Sequence, residues 1–273
     1  MPAGSFVPLF SLGETTVFAT SPELTFVLVS HGRPLEEIVY LGFCLCSNYR
    51  IDANHPSGVA QRGAKDASAT SVAKIGAYLE RATEARGRAK ANAALSLVRD
   101  GSRSPVESGI AISLGMPARL GGFNLGDARM NAEVLVPQSR RGRGAARYHR
   151  RYPDILFERI DEQGRRRRVG IDYDSFSMHA RARMLQSDAV RRNQLASLGS
   201  FAHFTITAEQ AFDFVRFEDV ADSVRRALAL RPQPRLQTAA RSETGERALA
   251  EAHRRRFALW SKVVCPSAFR AQE

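Results

Sequence analysis

Three aspartates stand at the outer ends of two candidate strands near the middle of the chain. The first strand, residues 152–158, carries Asp154 near its start, and the second, residues 169–174, ends with Asp172 and Asp174. A polar turn that contains glycine separates the strands, which predicts an antiparallel hairpin. Side chains two residues apart on a strand share a face. Because the start of one antiparallel strand lies beside the end of the other, we expect the three carboxylates to cluster.

Such a cluster indicates a site for a hard divalent cation. Carboxylates at contact distance repel each other by ~1–4 kcal/mol per pair, depending on the local dielectric. Oxygen ligands suit Mg²⁺ and Mn²⁺, and an ion of this kind polarises a phosphoryl oxygen and lowers the pKa of an attacking water. We predict that Asp154 and Asp172 are the metal ligands.

The residues around these aspartates resemble the motif of the PD-(D/E)XK nuclease superfamily. Pro153-Asp154 matches its first part and Asp172-Tyr173-Asp174 its second. The motifs that follow resemble, in type and in their order along the chain, those of the very-short-patch-repair-endonuclease-like domain of AbiEi-type antitoxin-like bacterial proteins. They are Ser175, His179, Asp188-Ala189-Val190-Arg191 and Leu195-Ala196-Ser197-Leu198-Gly199. The likeness covers roughly residues 101–230 and, more weakly, residues 16–100.

The resemblance implies Mg²⁺-dependent hydrolysis of phosphodiester bonds in DNA. Asp154 and Asp172 would hold the metal, and Asp174 or His179 would handle the attacking water. Glu107 would be the acid that the superfamily carries on a helix. Two of these residues have alternative roles: Ser104 followed by Glu107 is a capping-box pattern, and a histidine near a helix start also serves as a cap or a surface residue.

Three departures from the family pattern keep a second function open. The expected Glu is Asp172, the expected Gly is Ser175, and the superfamily's Lys is absent, with Asp174 in its place. The alternative is a catalytically degenerate nuclease fold that acts as a DNA-binding or antitoxin-type regulatory module. A third possibility is a structural protein whose acids pair with arginines such as the run Arg165–Arg168.

The chain is strongly basic. Its formal charge is +12 and, because lysine occurs at only four positions, 36 of its 40 basic residues are arginine. This excess favours polyanionic partners, although GC-rich coding also raises arginine content. Between the candidate strands 131–136 and 152–158 lies a segment that we predict to bind nucleic acid, unless it is simply a solvated loop. Its arginines are Arg140, Arg141, Arg143, Arg147, Arg150 and Arg151.

The elements around these residues predict an α/β fold. We expect a mixed sheet of four to five strands flanked by helices, a restriction-endonuclease-like core. The candidate strands are 131–136, 152–158, 169–174 and 201–207, and the covering helices are 104–114 and 179–198.

The chain divides by composition into three parts. We predict that residues 1–100 form a helical region with a mobile linker near 47–70. Within it, residues 1–20 are predicted to be an irregular lead-in with one short strand. The resemblance implies that residues 101–230 form an endonuclease-like domain. Residues 231–273 form a linker and a short basic helix near 243–260.

Several classes of protein are disfavoured. The three cysteines, Cys44, Cys46 and Cys265, lack the spacing of a zinc site or a disulfide framework. No apolar run reaches the eighteen residues of a membrane helix, and the first ten residues lack a basic signal-peptide region. We expect a cytoplasmic protein whose main partner is DNA, with a partner protein as the second kind of partner and no membrane.

Overall fold

The computed structural model describes residues 1–63, 68–137, 148–175, 201–231 and 243–265. The chain forms two compact units, residues 1–108 and 109–273. The predicted α/β fold is confirmed, since helices accompany a mixed sheet of four strands. Among the helices in these ranges, none is long and apolar enough to cross a membrane.

The first unit combines helices with two small hairpins. Its elements are β1 (Phe6–Leu12), β2 (Thr15–Thr20), α1 (Pro22–Gly32), α2 (Leu35–Leu45), β3 (Tyr49–Ile51), β4 (Val59–Gln61), α3 (Val72–Arg81), α4 (Arg88–Leu95) and the start of α5 (Pro105–Gly115). Helix α1 begins as its sequence predicts: the Ser21 hydroxyl accepts a hydrogen bond from the Leu24 N–H (3.2 Å), and Pro22 takes the first helical position. Apolar faces of α1, α2 and α3 supply the core, with Leu24, Phe26, Val27, Ile38, Val39, Phe43, Ile75 and Leu79 buried.

Two segments of this unit differ from the prediction. Residues 6–20 form a hairpin, β1 with β2, whereas the sequence predicted an irregular lead-in over residues 1–20 with a single short strand. Residues 47–70, interpreted above as a mobile linker, contain the antiparallel pair β3–β4. The polar composition did not indicate that part of this segment is buried. Tyr49 is buried, and the buried Ser47 hydroxyl donates to the Cys44 and Tyr49 carbonyls. Buried residues and backbone hydrogen bonds such as that from the Asn48 N–H to the Ser102 carbonyl (2.7 Å) thus hold a segment of polar composition.

The second unit is built on the mixed sheet. Its elements are a 3₁₀ turn (Ala118–Leu120), β5 (Ala128–Met130), β6 (Val134–Pro137), β7 (Tyr148–Arg151), β8 (Ile155–Ile160), β9 (Arg166–Asp174), β10 (Phe201–Thr207), α6 (Ala208–Phe212), α7 (Phe214–Ala227) and α8 (Glu243–Val263). The order in the sheet is β10-β9-β8-β5. Strand β10 is parallel to β9, and the other neighbours are antiparallel.

The predicted hairpin is present as β8 and β9. Ile155 pairs with Ile171 at the outer end and Ile160 with Arg166 at the turn. Gly164 in the turn has φ +73°, a left-handed conformation that glycine adopts without strain. The strand predicted at 201–207 also forms, as β10.

The strand predicted at 131–136 is not a neighbour of β8 in this sheet. The neighbour of β8 is instead β5, Ala128–Met130. The chain then turns at Asn131 (φ +48°). As a result, β6 pairs with β7 in a separate two-stranded sheet. Asparagine tolerates the left-handed conformation better than most residues. The alternation of apolar residues still predicted burial correctly, because Val134 and Val136 pack with Leu156 and Phe201.

Helices precede and follow the strands of the second unit. Helix α5 confirms the helix predicted at 104–114, and α8 contains the basic helix predicted near 243–260. Trp260 of α8 is buried, and its Nε1–H donates to the Ala211 carbonyl (2.9 Å). The helix predicted at 179–198 lies outside the described residues.

Candidate functional site

Asp154 and Asp172 lie next to each other at the outer end of the β8–β9 hairpin. The Asp154 N–H donates to Asp172 Oδ1 (3.2 Å), and the Tyr173 N–H donates to Asp154 Oδ2 (2.8 Å). Each carboxylate thus binds the backbone of the other strand. The Asp154 nitrogen lies 3.2 Å from an Asp172 carboxylate oxygen and only four covalent bonds from its own carboxylate oxygens. The two carboxyl groups therefore lie within roughly 8 Å of each other.

The packing around Gly170 holds this end of the hairpin in place. A Cβ atom on Gly170 would come within 2.7 Å of the Phe201 ring and 3.1 Å of Pro153. Glycine therefore lets Pro153, directly before Asp154, and Phe201 of β10 approach the β9 backbone closely. The bulk on both sides limits the movement of the strand ends that carry the two aspartates.

His203 is a third member of the cluster, and the sequence did not reveal it. Its Nε2 lies 3.0 Å from Asp172 Oδ2, and its side chain is only 6% exposed. An ionised carboxylate can only accept hydrogen bonds, so Nε2–H is the donor in this pair. The other ring nitrogen, Nδ1, is buried and has no hydrogen-bond partner in the described part of the chain.

The register of β10 explains how His203 reaches Asp172. In the parallel pairing, His203 lies opposite Gly170 and Thr205 lies opposite Asp172. His203 and Asp172 are therefore diagonal neighbours on one face of the sheet. The apolar run at 201–207 predicts a buried strand, but it does not indicate whether that strand is parallel or antiparallel to β9. The strand direction decides which residue of β10 lies diagonally opposite Asp172.

Asp174 ends β9 on the same face as Asp172. It is partly buried and lies opposite Thr207 of β10. His179, the other residue predicted to handle water, lies outside the described residues. The structure thus brings together two of the predicted site residues, Asp154 and Asp172, and adds His203.

The donor set of the cluster suits an oxygen-binding cation. In the described ranges there is no group of three or more His, Cys, Asp and Glu side chains placed to hold a metal ion. Magnesium does not require one, since it is commonly held by one or two carboxylates together with water and substrate phosphates. Asp154 and Asp172 supply two carboxylates, although both Asp172 oxygens already accept hydrogen bonds from protein groups.

Glu107 has the contacts of a helix cap. In the first unit, its carboxylate accepts hydrogen bonds from the Ser104 hydroxyl and the Arg103 N–H, both at 3.0 Å. The Glu107 N–H donates in turn to the Ser104 hydroxyl (3.1 Å). The bond from the Glu107 N–H to the Ser104 hydroxyl is one half of the capping box that the Ser-x-x-Glu spacing predicts. The carboxylate accepts from the Arg103 N–H, one residue before the N–H used in the standard motif. A role for Glu107 at the metal site stays a prediction.

The arginine segment before Asp154 is described only at its end. Arg140, Arg141, Arg143 and Arg147 lie outside the described residues, whereas Arg150 and Arg151 lie on β7. Arg150 is exposed and its Nε lies 3.4 Å from Glu133 Oε1. Since Arg151 stands three residues before Asp154, a chain rise of at most ~3.6 Å per residue places their Cα atoms within about 11 Å of each other. The described end of this segment therefore leads into the acidic end of the hairpin, and its role in DNA binding stays a prediction.

The run Arg165–Arg168 belongs to the turn end of the hairpin. Arg165 and Arg167 bind Asp161 Oδ2 (3.0 and 2.9 Å), and Arg166 binds Glu158 (2.9 Å). The Arg168 guanidinium stacks 5.5 Å from the centre of the Phe201 ring. Within the described ranges, the ion-pair partners of these arginines are thus Asp161 and Glu158, and not the three aspartates at the outer end.

Asp161 is the most strongly perturbed acid at the turn end. Its burial alone would raise the pKa, but hydrogen bonds from the Arg165 N–H, from both guanidinium groups and from the Gln163 N–H outweigh that effect and lower it far below the usual range. The Asp161 side chain is only 2% exposed. This carboxylate is consequently held ionised inside the turn.

Comparison with known proteins adds no family assignment. No protein-family model, no curated protein and no solved structure matches this chain.

Proposed function

We propose that the second unit is a nuclease-like domain that binds DNA and hydrolyses phosphodiester bonds with the help of Mg²⁺ or Mn²⁺. The observation that carries this proposal is the interlocked pair Asp154 and Asp172, each bound to the backbone beside the other. The proposal makes the protein a hydrolase of the metal-dependent endonuclease class, which the resemblance to the PD-(D/E)XK superfamily also implies.

The two carboxylates are oriented before any ligand arrives. Backbone N–H groups hold one oxygen of Asp154 and one of Asp172, and His203 holds the second oxygen of Asp172. Little side-chain freedom remains to be lost when a cation binds, which favours binding. When bound, the ion supplies Lewis acidity toward a phosphoryl oxygen and toward water. His203 acts here by holding Asp172, while Asp174 and His179 are the proposed groups for moving the water proton.

The charge of the chain supports DNA as the substrate. With a net charge of +12, the chain attracts polyanions over a long range. Arg150 and Arg151 stand four and three residues before Asp154, so phosphates bound by this segment would lie near the carboxylates. Each phosphate that an arginine neutralises adds to a salt-dependent affinity.

A second function is a catalytically degenerate nuclease fold that binds DNA or serves as an antitoxin-type regulatory module with a partner protein. The observation in its favour is that both Asp172 oxygens already accept hydrogen bonds from protein groups. The departures of Asp172, Asp174 and Ser175 from the family pattern point the same way. In this case the same surface binds DNA without turnover.

A nicking assay combined with DNA binding separates the two functions. Supercoiled plasmid is incubated with Mg²⁺, Mn²⁺ or EDTA, and affinity for a short duplex is measured with and without Ca²⁺. For an enzyme, the wild type nicks the plasmid and Ca²⁺ tightens binding. Asp154→Asn then abolishes nicking but leaves metal-free binding equal or stronger, because a charge that repels phosphate has gone.

The matched control is Asp219→Asn, which removes the same charge from an exposed position on α7. It should behave as the wild type in both measurements. DNA binding without a Ca²⁺ effect and without nicking supports the degenerate module. Absence of DNA binding at low salt contradicts the nuclease and the DNA-binding form of the second function.

A further inference from the structure

The side chain of Arg168 lies on the same face of the mixed sheet as that of Asp172. Side chains two residues apart on a strand share a face, so Arg168, Gly170 and Asp172 of β9 do. Residues directly opposite each other on neighbouring strands share a face as well, which adds Phe201, opposite Arg168, and His203, opposite Gly170. We call the surface that these residues form the aspartate face. Arg168 is therefore a cation on the surface that carries a candidate metal ligand.

An aromatic ring orients the Arg168 guanidinium. Its central carbon lies 5.5 Å from the centre of the Phe201 ring, within the range of a cation–π interaction. The Arg168 side chain is half-buried, and its Nε is buried without a hydrogen-bond partner in the described ranges. In the same ranges Arg168 forms no ion pair, whereas Arg166 binds Glu158. Arg168 is thus an oriented cation that no carboxylate in the described part of the chain neutralises by pairing with it.

The charges around Arg168 favour an anionic ligand. Glu158 lies directly opposite Arg168 on β8, but its two carboxylate oxygens bind Arg166 (2.9 Å) and Arg129 (2.8 Å). Three guanidinium groups therefore adjoin one carboxylate, an excess of two positive charges. Burial and, to a lesser degree, repulsion from Arg166 lower the pKa of the Arg168 guanidinium. An anion would compensate this excess, because a charge that is partly removed from water destabilises the protein when it has no partner.

Arg151 is directed at the same face from the small sheet β6–β7. That sheet packs on the aspartate face, since Val134 of β6 packs with Leu156 and Phe201. Arg151 lies directly opposite Val134, so both side chains leave the small sheet on the side that faces the mixed sheet. The preceding residue, Arg150, leaves on the other side and is exposed. The small sheet therefore adds a second arginine to the aspartate face.

We propose that the aspartate face contains a phosphate subsite, in which Arg168 binds a backbone phosphate of DNA and Arg151 binds another from the opposite side. The subsite rests on the proposed function, because its ligand is the DNA on which the aspartates act. Four residues of β9 separate Arg168 from Asp172, a Cα distance of ~13 Å at ~3.3 Å per residue. Arg168 therefore holds a phosphate that flanks the scissile one. A guanidinium suits this role, since it donates two parallel hydrogen bonds to a phosphate.

The salt dependence of DNA affinity tests the subsite without any cleavage. Affinity of the full chain for a short duplex is measured in EDTA over a range of salt concentrations. Arg168→Met keeps an apolar side chain of similar length over the Phe201 ring but removes the charge. The slope of log affinity against log salt should fall by about 1. Arg168→Lys retains the charge and should keep the slope of the wild type, although its affinity falls because the planar fork is lost.

The matched control is Arg159→Met. Arg159 stands beside Glu158 on β8 and lies opposite Arg167, so its side chain leaves the mixed sheet on the face away from Arg168. The substitution removes the same net charge, and the slope should change less than half as much. Circular dichroism and thermal melts show that each variant is compared in its folded state. Arg151→Met tests the other side of the subsite and should also lower the slope by about 1.

Nicking kinetics test the position of the bound phosphate. A flanking phosphate contributes equally to binding of the ground state and of the transition state. Arg168→Met should therefore raise KM severalfold and leave kcat within about twofold of the wild type. A fall in kcat at constant KM would place Arg168 at the scissile phosphate and overturn the assignment.

The outcomes separate the subsite from the nuclease activity. Equal slope changes in Arg168→Met, Arg151→Met and Arg159→Met would show that net charge alone acts, which overturns the subsite and leaves the nuclease proposal intact. A slope loss in the first two variants, with a wild type that binds DNA but does not nick it, supports the subsite and rejects catalysis. A wild type that does not bind DNA at low salt overturns both.

Discussion

The two ends of the β8–β9 hairpin hold their carboxylates in different ways. At the turn, the Asp161 carboxylate meets two guanidinium groups and two backbone N–H groups, and Glu158 binds Arg166 and Arg129. At the outer end, backbone N–H groups and the His203 imidazole hold Asp154 and Asp172.

This difference separates structural acids from candidate catalytic acids. An acid that binds two arginines has its charge compensated and contributes to the fold. At the outer end, N–H groups fix the orientation of the two carboxylates, which favours their use as metal ligands. Two acidic clusters on one hairpin can thus have different roles, according to the groups that hydrogen bond to them.

The largest effect on stability is expected from Asp161→Asn at the turn. The substitution keeps the size of the side chain but removes a buried charge that the exposed Arg165 and the partly buried Arg167 share. Loss of one partner of a buried ion pair destabilises the fold. We expect the melting temperature to fall by several degrees. The neighbouring and more exposed Glu162→Gln is the matched control and should shift it little.

The contribution of Asp161 should also depend on pH. Because the folded state lowers the Asp161 pKa, the stabilisation is fully present above the unfolded pKa of about 3.9 and is lost as pH falls toward the folded value. The difference in melting temperature between wild type and Asp161→Asn should be constant near neutral pH and shrink below about pH 4. A difference that persists unchanged at pH 2 would show that the charge is not its source.

A smaller effect on stability is expected at the outer end. His203→Leu removes the donor to a partly buried carboxylate, which costs about 1–3 kcal/mol of unfolding free energy when the acceptor is left unsatisfied. His203→Gln retains an N–H donor and should recover part of that loss. Urea denaturation of both variants, alone and combined with Asp172→Asn, measures the coupling. Equal losses in the Leu and Gln variants would mean that packing, and not the hydrogen bond, makes His203 stabilising.

The smallest expected effect is a difference between two pairs of arginines in the salt dependence of DNA affinity. In the double variant of Arg150 and Arg151 to Ala, two cations near the acidic end are lost, so the slope of log affinity against log salt should fall by up to ~2. In the matched pair Arg165 and Arg166 to Ala, the lost cations lie at the turn end of the hairpin, away from the acidic end, so the slope should change less. An equal or larger change in the second pair would place the DNA on the turn end.

Local sequence patterns predicted the hairpin and the proximity of Asp154 and Asp172. Alternation, a glycine in the turn and the period of two were sufficient for that. The same patterns failed where a single residue or a distant strand decides the structure. Asn131 in a left-handed conformation diverts the chain into a second sheet. His203 reaches Asp172 because β10 is parallel, which no local pattern reports.

Binding of Mn²⁺ tests the contrast between the two ends of the hairpin most directly. Electron paramagnetic resonance of free Mn²⁺, in a titration with the full chain, measures how many ions each variant binds. We predict that the wild type binds Mn²⁺, that Asp154→Asn and Asp172→Asn lose this binding, and that Asp161→Asn keeps it at a temperature where it is folded. Absence of Mn²⁺ binding in the wild type, or an equal loss in Asp161→Asn, would contradict the assignment of the metal to the outer end.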